Sequence, residues 1–412
     1  MFKRVPGTKD IFPTEVSRWQ RVEEVSRAIF SLYNYREART PVIEEAGLFN
    51  RSLGESSDIV QKQMFLIRNK EDLYVLRPEG TASLVRAYLE NQLDKTLGLV
   101  KFYYIGPMFR LERPQKGRLR QFHHIGAEII GSSCPAADVE IIALADKLLA
   151  ALGISGQQIV INNLGCSKDR NKLTEILRNR LKDKLSGLCA DCRVRFKHNV
   201  LRILDCKNQA CQEAIAKLDI NDNYLCQDCQ THFRKVREGL DNLKIEYQVN
   251  PLLVRGLDYY TRTVFEIRHT GLGSQDALGA GGRYDNLVKE LGGPDTGALG
   301  FALGIERLLL AQGPEPAVQG KGLVYVIALG DEAEKEGMRL LDNLRKNGIA
   351  SDRDYETKSL KGAMRRANDL HAGYVVIIGE DELKKNAVTL KDMVSGGQKE
   401  VKYADLIKEI KC

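Results

Sequence analysis

The segment from Arg110 to Glu128 concentrates side chains that could bind a phosphorylated ligand. Residues 110–120 contain five basic side chains and one acid, and Pro114 and Gly117 favour a turn between two apolar strands. Guanidinium groups bind phosphate oxygens through paired hydrogen bonds, and Phe122 could stack on a base. The pattern predicts a phosphate-binding hairpin, although a nonspecific basic loop explains it equally well when the segment is taken alone.

Two further segments suit a polar pocket. In residues 77–81 the Glu79 carboxylate precedes a Gly-Thr turn and could hold an ammonium group, while a helix that starts near Thr81 is the simpler alternative. In residues 255–266, Arg255 precedes a glycine and two adjacent tyrosines, which suits a pocket floored by a strand. A sheet edge with aromatic packing is the alternative for this second segment.

Two glycine-rich segments follow. Residues 279–285 (GAGGRYD) permit close approach of a ligand to the backbone, but they match neither the phosphate-binding loop nor the dinucleotide fingerprint. Residues 300–310 read as a glycine-rich strand that runs into an apolar helix, with Arg307 near the helix start. This arginine gains significance only beside a nucleotide.

The helices and strands that must position these residues can be predicted from the spacing of apolar residues along the chain. Apolar residues at helical spacing predict a helix over residues 16–33, and a second helix is expected over 138–152. Short apolar runs at 73–76, 99–105 and 122–130 predict antiparallel strands, and strands resume around 259–268. The first three hundred residues therefore predict an α+β fold.

The pattern changes after a Gly- and Pro-rich linker over residues 313–322. Strands at 323–329, 349–352 and 374–378 alternate with helices at 332–347 and 359–371, which predicts a separate α/β domain. At 412 residues the chain is long for one core, so several domains are expected.

Six of the nine cysteines lie between Cys189 and Cys229. The pairs Cys189/Cys192 and Cys226/Cys229 could present four thiolates to Zn²⁺, but the 33 residues between them exceed the roughly 15 to 20 of a compact site. Two explanations of these cysteines therefore remain open: a structural zinc site, and a set of reduced, partly buried thiols.

Composition narrows the class of protein. The hydrophobic share of 43% is ordinary for a soluble protein, no apolar run is long enough for a membrane span, and residues 1–6 lack a signal-peptide core. We expect a cytoplasmic protein without membrane partners. Residues 167–237 hold 16 basic and 9 acidic side chains, which equals the whole net charge of +7 and suits either a solvated helix face or contact with RNA.

Taken in order, these segments resemble a known family. The basic hairpin is similar to motif 2 of the class II aminoacyl-tRNA synthetases, residues 300–310 to motif 3, and residues 40–44 (TPVIE) to motif 1 with its dimer-interface proline. Residues 255–266 and 280–285 resemble the two signature peptides of the histidyl-tRNA synthetase family, and residues 3–13 resemble its N-terminus. The resemblance covers essentially the whole chain.

The resemblance implies a domain plan and a set of partners. It implies a class II catalytic domain on an antiparallel sheet (1–166 and 238–312), a small insertion domain (167–237) and a C-terminal α/β anticodon-binding domain (323–412). ATP with Mg²⁺ as its counter-ion, L-histidine and tRNA(His) are the implied ligands, and a homodimer is the implied assembly. The implied reaction forms histidyl-adenylate and then transfers histidine to the 3′ end of the tRNA.

The resemblance also implies roles for individual residues. Arg110 and Arg255 are the implied catalytic groups at the α-phosphate. The implied ATP contacts are Arg110, Glu112, Arg118, Phe122, Arg255 and Arg307. The implied histidine contacts are Glu79, Gly80, Thr81, Arg110, His124, Glu128, Arg255, Tyr259, Tyr260 and Tyr284. Gln115 lies where the family contacts the tRNA acceptor end.

One position departs from the family pattern, because His124 replaces the usual glutamine. Since histidine titrates near neutral pH, we hypothesise that histidine binding weakens in acid through His124. Two alternative functions remain: the regulatory paralogue of ATP phosphoribosyltransferase, which does not charge tRNA, and a class II synthetase for threonine or proline. The Arg255 peptide argues against both, and the terminal domain argues against the regulatory paralogue.

Overall fold

The computed structural model describes residues 2–54, 57–218, 220–273, 276–313, 322–355 and 359–411. The chain divides into two compact units, residues 1–315 and 316–412. Of the linker predicted over residues 313–322, positions 314–321 lie outside the described residues.

The first unit is built on strands and helices that largely follow the predicted order. Its strands are β1 (Arg36–Glu37), β2 (Ile43–Glu45), β3 (Phe65–Asn69), β4 (Asp72–Leu76), β5 (Val100–Phe109), β6 (Gln121–Ile130), β7 (Gln157–Asn163), β8 (Gln248–Val249), β9 (Thr261–His269), β10 (Ala277–Arg283) and β11 (Ala298–Gly304). Its α-helices are α1 (Pro13–Leu32), α2 (Ala46–Leu53), α3 (Thr81–Glu90), α4 (Leu93–Thr96), α5 (Pro135–Ala151), α6 (Ser167–Leu181), α7 (Ala190–His198), α8 (Gln209–Ala216), α9 (Gln227–Asn242), α10 (Leu287–Glu290) and α11 (Ile305–Gln312).

Eight of these strands form one sheet in the order β1-β5-β6-β11-β10-β9-β7-β8. The six inner strands pair in antiparallel fashion, and only the two short edge strands pair in parallel. The predicted antiparallel sheet is therefore confirmed. Four of its inner strands, β6, β9, β10 and β11, carry parts of the motifs singled out in the sequence.

One face of this sheet packs against α1, α5 and α9. Alternate residues of β6, Ile125, Ala127 and Ile129, enter the same apolar core as Trp19 of α1 and Ile141 of α5. The helix predicted over 138–152 begins three residues earlier, because Pro135 occupies its first turn, where a missing N–H costs nothing. With this face covered by helices, a ligand site must lie on the other side of the sheet.

A second, three-stranded sheet in the order β2-β4-β3 flanks the first. The segment that resembles motif 1, residues 40–44, leads into its strand β2. Four large apolar side chains of this small sheet are exposed to solvent: Ile43, Leu66, Ile67 and Leu73.

Helices α6 to α9 and three short 3₁₀ turns make up residues 167–242. Leu173, Leu177, Val200 and Ile215 belong to an apolar cluster of their own, in which four of the cysteines are also buried. The separate insertion domain at 167–237 stays a prediction, since these residues fall within the first compact unit.

The second unit is a five-stranded sheet with helices. Its strands are β12 (Val324–Ala328), β13 (Ser351–Arg353), β14 (Tyr374–Ile378), β15 (Ala387–Asp392) and β16 (Gln398–Lys402), and its helices are α12 (Asp331–Lys346), α13 (Leu360–Asp369), α14 (Glu380–Lys385) and α15 (Leu406–Lys411). The sheet order is β13-β12-β14-β15-β16. The predicted α/β alternation is confirmed for the parallel strands β12 to β14, while the antiparallel pair β15–β16 was not predicted. Within the described residues, no helix has the length and apolarity needed to cross a membrane.

A buried ion pair joins the central sheet to α5. The side chain of Arg283, at the end of β10, is fully buried and donates from Nε to Asp138 Oδ2 at 2.9 Å and from Nη1 to Asp285 Oδ1 at 2.8 Å. His232 Nε2 lies 3.2 Å from the same Asp138 carboxylate. Because Arg283 follows the glycine-rich strand directly, this pair fixes where β10 ends.

We expect Asp138→Ala to lower the free energy of unfolding by about 3 to 5 kcal/mol, because it leaves the Arg283 guanidinium buried without its main partner. Urea unfolding followed by tryptophan fluorescence measures this change, since Trp19 is the single tryptophan and lies in the core beneath the sheet. Asp295→Ala is the matched control: its ion pair with Lys289 is solvent-exposed, and the cost should stay below about 1 kcal/mol. Equal losses in the two variants would contradict the role of the buried pair.

Candidate active site

A cavity of about 700 Å³ opens on the face of the sheet away from α5. Most of the predicted site residues line it: Glu79, Thr81, Arg110, Glu112, Arg118, Phe122, His124, Arg255, Tyr259, Tyr260, Tyr284 and Arg307. Gly80 precedes the first turn of α3, Glu128 lies buried behind the wall, and Gln115 lies at the tip of the neighbouring hairpin. Segments more than two hundred residues apart thus meet at one site.

The predicted basic hairpin is formed by β5 and β6. Phe109 pairs with Gln121 at the ends of the strands, and the Arg110 amide donates to the Arg120 carbonyl at 2.9 Å. At the tip, Gln115 and Arg118 exchange two backbone hydrogen bonds across the turn that Pro114 and Gly117 predicted. The hairpin carries its basic groups to the mouth of the cavity.

Arg110 is anchored so that its guanidinium faces the cavity. Its Nε donates to the Pro78 carbonyl at 2.9 Å, and its guanidinium lies 5.3 Å from the centre of the Phe122 ring. Burial lowers the pKa of Arg110, although Glu112 opposes that change. Glu112 itself pairs with Arg118 at 3.0 Å. A desolvated guanidinium of this kind favours an anionic ligand.

Arg307 joins α11 to the hairpin. Its Nε donates to the Gly117 carbonyl at 3.0 Å, and its Nη1 donates to the Ala277 carbonyl at 2.5 Å. The preceding residue, Glu306, accepts hydrogen bonds from the backbone and ring nitrogens of His123 at 3.0 Å. The sequence singled out Arg307 only as an arginine in an apolar helix, and these contacts show what holds it at the cavity.

Glu79 caps the start of α3. Its carboxylate accepts hydrogen bonds from the backbone amides of Thr81 at 2.7 Å and Ala82 at 2.8 Å. The simpler alternative, a helix that starts at Thr81, is therefore correct, and the same carboxylate also lines the cavity. Burial raises the pKa of Glu79, while these two amides oppose the rise.

Glu128 is a second buried carboxyl group in the same wall. It accepts hydrogen bonds from the Thr81 hydroxyl at 2.6 Å and the Tyr284 hydroxyl at 2.7 Å, and burial raises its pKa to about 8. Gly300 lies opposite it on β11, where a Cβ atom would come within 1.6 Å of the Glu128 carboxylate. The glycine in the strand of residues 300–310 therefore makes room for Glu128.

An aromatic group closes the inner end of the cavity. The ring centres of Tyr259 and Tyr260 lie 4.7 Å apart, and Tyr284 meets Tyr259 edge-on at 5.6 Å. Tyr104 of β5 also lines the cavity, and its buried hydroxyl finds no hydrogen-bond partner in the described part of the chain. Sequence reasoning missed Tyr104, because a tyrosine within a buried apolar strand carries no distinctive pattern.

Arg255 faces the cavity from the opposite side and pairs with Glu266 of β9. The same carboxylate also accepts from Arg268 Nε at 2.6 Å, and it lies between the two guanidinium groups. The Arg255 Nε is buried and unpaired among the residues that the structure describes. Glu266 therefore fixes the orientation of Arg255 while one donor of the guanidinium is left for a ligand.

The environment of His124 contradicts the basis of its predicted acid sensitivity. Burial, together with the nearby charges of Arg110 and Arg307, lowers the pKa of His124 to about 3. The ring is therefore neutral at every pH at which the ordinary histidine titration would matter. Its Nδ1 is buried without a hydrogen-bond partner in the described chain, so a neutral ring nitrogen faces the cavity.

The glycine-rich strand β10 lines the cavity at Gly279 and Ala280 and also packs closely against its neighbouring strand. At Gly281 a Cβ atom would lie 2.3 Å from the Gly300 carbonyl of the neighbouring strand. This glycine permits close packing of β10 against β11, and the approach of a ligand to the backbone of this strand stays a prediction.

Residues 189–208 form a wall of the cavity that sequence reasoning did not anticipate. Arg195 and Arg202, both in the cavity lining, pair with the Asp58 carboxylate at 3.3 Å and 2.9 Å. Asn199, between them, donates to Asp258 at 2.8 Å. The sequence features that pointed to this segment were its excess of basic residues and its cysteines, and neither predicted a place in the cavity wall.

The proposed grouping of the cysteines must be corrected. The structure places the two CxxC pairs in different clusters, so Cys189, Cys192, Cys226 and Cys229 do not surround one point. Cys189 and Cys192 meet Cys206 and Cys211, whereas Cys226 and Cys229 meet Cys166 and Asp169. The pairs separate because each opens a different helix, α7 and α9.

Known proteins similar to this chain match both units. The family model for histidyl-tRNA synthetase matches residues 7–308, and that for the anticodon binding domain matches residues 323–412. The histidine–tRNA ligase of Natranaerobius thermophilus is 46% identical over the whole of both chains. That of Thermotoga petrophila is 47% identical over 97% of this chain and 96% of its own.

Solved structures agree with these sequence matches. The apo histidyl-tRNA synthetase of S. aureus superposes with a TM-score of 0.83 at 33% identity, over the full length of both chains. A structure described as an ATP phosphoribosyltransferase regulatory subunit/histidyl-tRNA synthetase from Bacillus halodurans is only 22% identical, with a TM-score of 0.65, and shows the fold alone. The resemblance seen in the sequence is confirmed: the chain belongs to the histidyl-tRNA synthetase family.

Proposed function

We propose that this chain is a histidine–tRNA ligase that activates L-histidine with ATP and transfers it to tRNA(His). The observation that carries the proposal is the meeting of Arg110, Arg255 and Arg307 with buried carboxyl groups and tyrosines around one cavity. Arginines suit the phosphates of ATP, and carboxyl and hydroxyl groups suit the ammonium and imidazole of histidine. We place this reaction in the cytoplasm, where ATP, histidine and tRNA are available together.

The first step joins histidine to the α-phosphorus of ATP, which enters with Mg²⁺ as its counter-ion. A histidine carboxylate oxygen forms a bond to phosphorus, the bond to the bridging oxygen breaks, and pyrophosphate leaves with that electron pair. Arg110 and Arg255 stabilise the negative charge that develops on the α-phosphate oxygens. Because Pro78 and Glu266 already orient these guanidinium groups, little reorganisation is needed when the charge forms.

Adenine binds between the Phe122 ring and the Arg307 guanidinium, with Glu112 at its edge and Arg118 on the outer phosphates. The Phe122 ring is already in contact with the Arg110 guanidinium at 5.3 Å, and Arg307 is held by two backbone carbonyls. Both flat groups are thus constrained before the nucleotide arrives.

Histidine binds where the two carboxyl groups and the tyrosines meet. Glu79, Thr81 and Glu128 receive the ammonium and imidazole groups of the substrate, and Gly80 leaves room for the Tyr104 ring beside them. The raised pKa values of Glu79 and Glu128 reflect the cost of burying carboxylates, which at Glu79 the nearby Arg110 guanidinium offsets only in part. The substrate ammonium offsets that cost. Tyr259, Tyr260 and the neutral ring of His124 line the imidazole pocket and discriminate against apolar side chains.

In the second step the terminal ribose hydroxyl of the tRNA attacks the carbonyl carbon of histidyl-adenylate. The bond to the phosphate oxygen breaks, AMP leaves, and the hydroxyl proton is released. Gln115, at the hairpin tip, contacts the acceptor end in this proposal, and residues 323–412, which match the anticodon binding domain, bind the anticodon. The basic residues of 167–237 supply positive charge for the tRNA backbone.

ATP–pyrophosphate exchange with single amino acids tests the assignment. Exchange should depend on histidine and should be absent with threonine or proline. Exchange with another amino acid would reassign the substrate. The absence of exchange with any amino acid would favour a regulatory paralogue that does not charge tRNA.

Arg255→Gln should lower kcat for histidine-dependent exchange by about 10²- to 10³-fold, because it removes a preorganised donor at the α-phosphate. Arg268→Gln is the matched control, because Arg268 pairs with the same Glu266 carboxylate but lies outside the cavity lining. The control should retain kcat within about threefold, since it removes only a partly exposed ion pair. Equal losses of kcat in the two variants would show that Arg255 acts through its ion pair with Glu266 and not through the α-phosphate.

Histidine binding should not gain acid sensitivity from His124. A histidine whose folded pKa is lowered to about 3 carries no charge between roughly pH 5 and 8, so its protonation cannot oppose the substrate there. Because the substrate imidazole itself titrates in this range, the informative comparison is the Kd profile of wild type with that of His124→Gln. We expect parallel curves by isothermal titration calorimetry. Curves that diverge below pH 6.5 would restore the acid-weakening hypothesis.

The exposed apolar side chains of the small sheet support a homodimer. Ile43 lies on β2 within the segment that resembles motif 1, and Leu66 and Ile67 lie on β3 of the same small sheet. Light scattering of the full chain should give twice the 46.2 kDa of one chain. Ile67→Glu should shift the mass towards one chain by placing a charge in an apolar interface, whereas Val394→Glu, on a more exposed valine of the second unit, should not. A monomeric wild type would contradict the assembly.

A further inference from the structure

We propose that Cys189, Cys192, Cys206 and Cys211 bind one structural Zn²⁺, which fixes the segment that forms the 189–208 wall of the active-site cavity. Metal binding by these residues does not depend on the proposed function. The consequence for the cavity does rest on it, so the two parts are tested by different measurements.

The four sulfur atoms already have the arrangement of a tetrahedral metal site. They lie within 4.8 Å of one another, and Cys189 Sγ is 3.8 Å from Cys206 Sγ. Four thiolates at about 2.3 Å from a Zn²⁺ ion lie about 3.8 Å from each other. The distance is far longer than the roughly 2.05 Å of a disulfide, so these sulfurs are free thiols gathered around one point.

Chain spacing also suits zinc once the cysteines are grouped in this way. Two residues separate Cys189 from Cys192, four separate Cys206 from Cys211, and thirteen lie between the pairs. Both short spacings fall within the two to four residues usual for paired zinc ligands. The 33-residue gap that argued against zinc in the sequence belongs to a pairing that the structure does not form.

Backbone amides point at three of the four sulfurs. The Cys192 amide donates to Cys189 Sγ at 3.4 Å, the Asn208 amide to Cys206 Sγ at 3.4 Å, and the Cys189 amide to Cys211 Sγ at 3.2 Å. Donors around the sulfurs stabilise thiolates and orient them as ligands. The site is thus formed by loop backbone as well as by side chains, and Cys192 and Cys211 are fully buried within it.

The second cluster is less suited to a metal. Asp169 is already bonded by backbone amides on both oxygens, from Cys226 at 3.0 Å and from Cys166 at 3.4 Å. Its carboxylate therefore serves to cap the starts of α6 and α9. Only three thiols remain there, so we assign zinc to the four-cysteine cluster.

The four-cysteine site lies next to the two arginines of the 189–208 wall that contact the rest of the cavity. Cys189 is the residue before α7, and Arg195 of α7 and Arg202 reach the Asp58 carboxylate of the catalytic part from either side. Cys189 and Cys206 themselves lie in the cavity lining. Because thiolate bonds to zinc fix both ends of the segment 189–211, the metal holds these arginines in place.

Metal analysis of the full chain tests the binding. The protein purified without added zinc or chelator, and the variants Cys192→Ser and Cys229→Ser, are compared by mass spectrometry of metal per chain. We expect one zinc in the wild type and in Cys229→Ser, and none in Cys192→Ser. A wild type that holds no zinc and takes up none from ZnCl₂, or a stoichiometry that Cys192→Ser leaves unchanged, would overturn the proposal.

Cobalt substitution of the wild type keeps the test decisive if Cys192→Ser fails to fold. Co²⁺ in the chain should give the visible and near-ultraviolet absorption of a tetrahedral four-thiolate site, and Zn²⁺ should displace it. A spectrum of octahedral Co²⁺ without thiolate bands would overturn the assignment.

Kinetics test the consequence for the cavity. Removal of zinc by a chelator should raise KM for ATP in pyrophosphate exchange by about fivefold and change kcat less, because the wall is loosened while Arg110 and Arg255 stay in place. Asp58→Asn should give the same KM change with its zinc retained. An unchanged KM in the zinc-free protein would overturn the link to the cavity, while the absence of all exchange in the zinc-bound protein would instead refute the proposed function.

Discussion

The pairing of β6 with β11 is the constraint on which the site depends. It places Glu128 opposite Gly300 and His124 opposite Gly304, so β6 supplies two groups of the site, and β11 leaves space for the first of them at Gly300. The Glu128 carboxyl group occupies the volume that a side chain at Gly300 would need. A shift of one residue in this register would turn Glu128 into the opposite, apolar core. The segments that resemble motifs 2 and 3 contribute to one site only because β6 and β11 are neighbours in the sheet.

Electrostatics then determine what the cavity can accept. Desolvation lowers the pKa values of Arg110 and Arg307 and raises those of Glu79 and Glu128, so charges of both signs are held away from water without full compensation. A ligand with phosphates at one end and an ammonium at the other relieves both sets at once. The desolvation of these groups destabilises the empty protein, and the bound substrates offset that cost. A site preorganised in this way favours its reaction.

The residues between 167 and 242 contribute more than a basic surface. They have an apolar cluster of their own, yet Arg195 and Arg202 reach a catalytic-side carboxylate and Asn199 reaches Asp258. Such contacts couple the order of this segment to the shape of the cavity. Zinc bound by the four cysteines would hold this segment in place. Without a metal, the packing of its small helical cluster alone would have to do so.

The sequence by itself determined the antiparallel sheet, the hairpin and the terminal α/β unit, because strand alternation, turn residues and helical spacing are local properties. It also singled out Arg110, Glu79, Arg255 and Arg307 as groups suited to a polar ligand, and their order along the chain indicated the family. Tertiary structure alone decided that His124 stays neutral, that Tyr104 reaches the cavity and that Cys189 meets Cys206 and not Cys226. Burial and pairing between distant segments set these properties, and neither can be read from the spacing of residues along a chain.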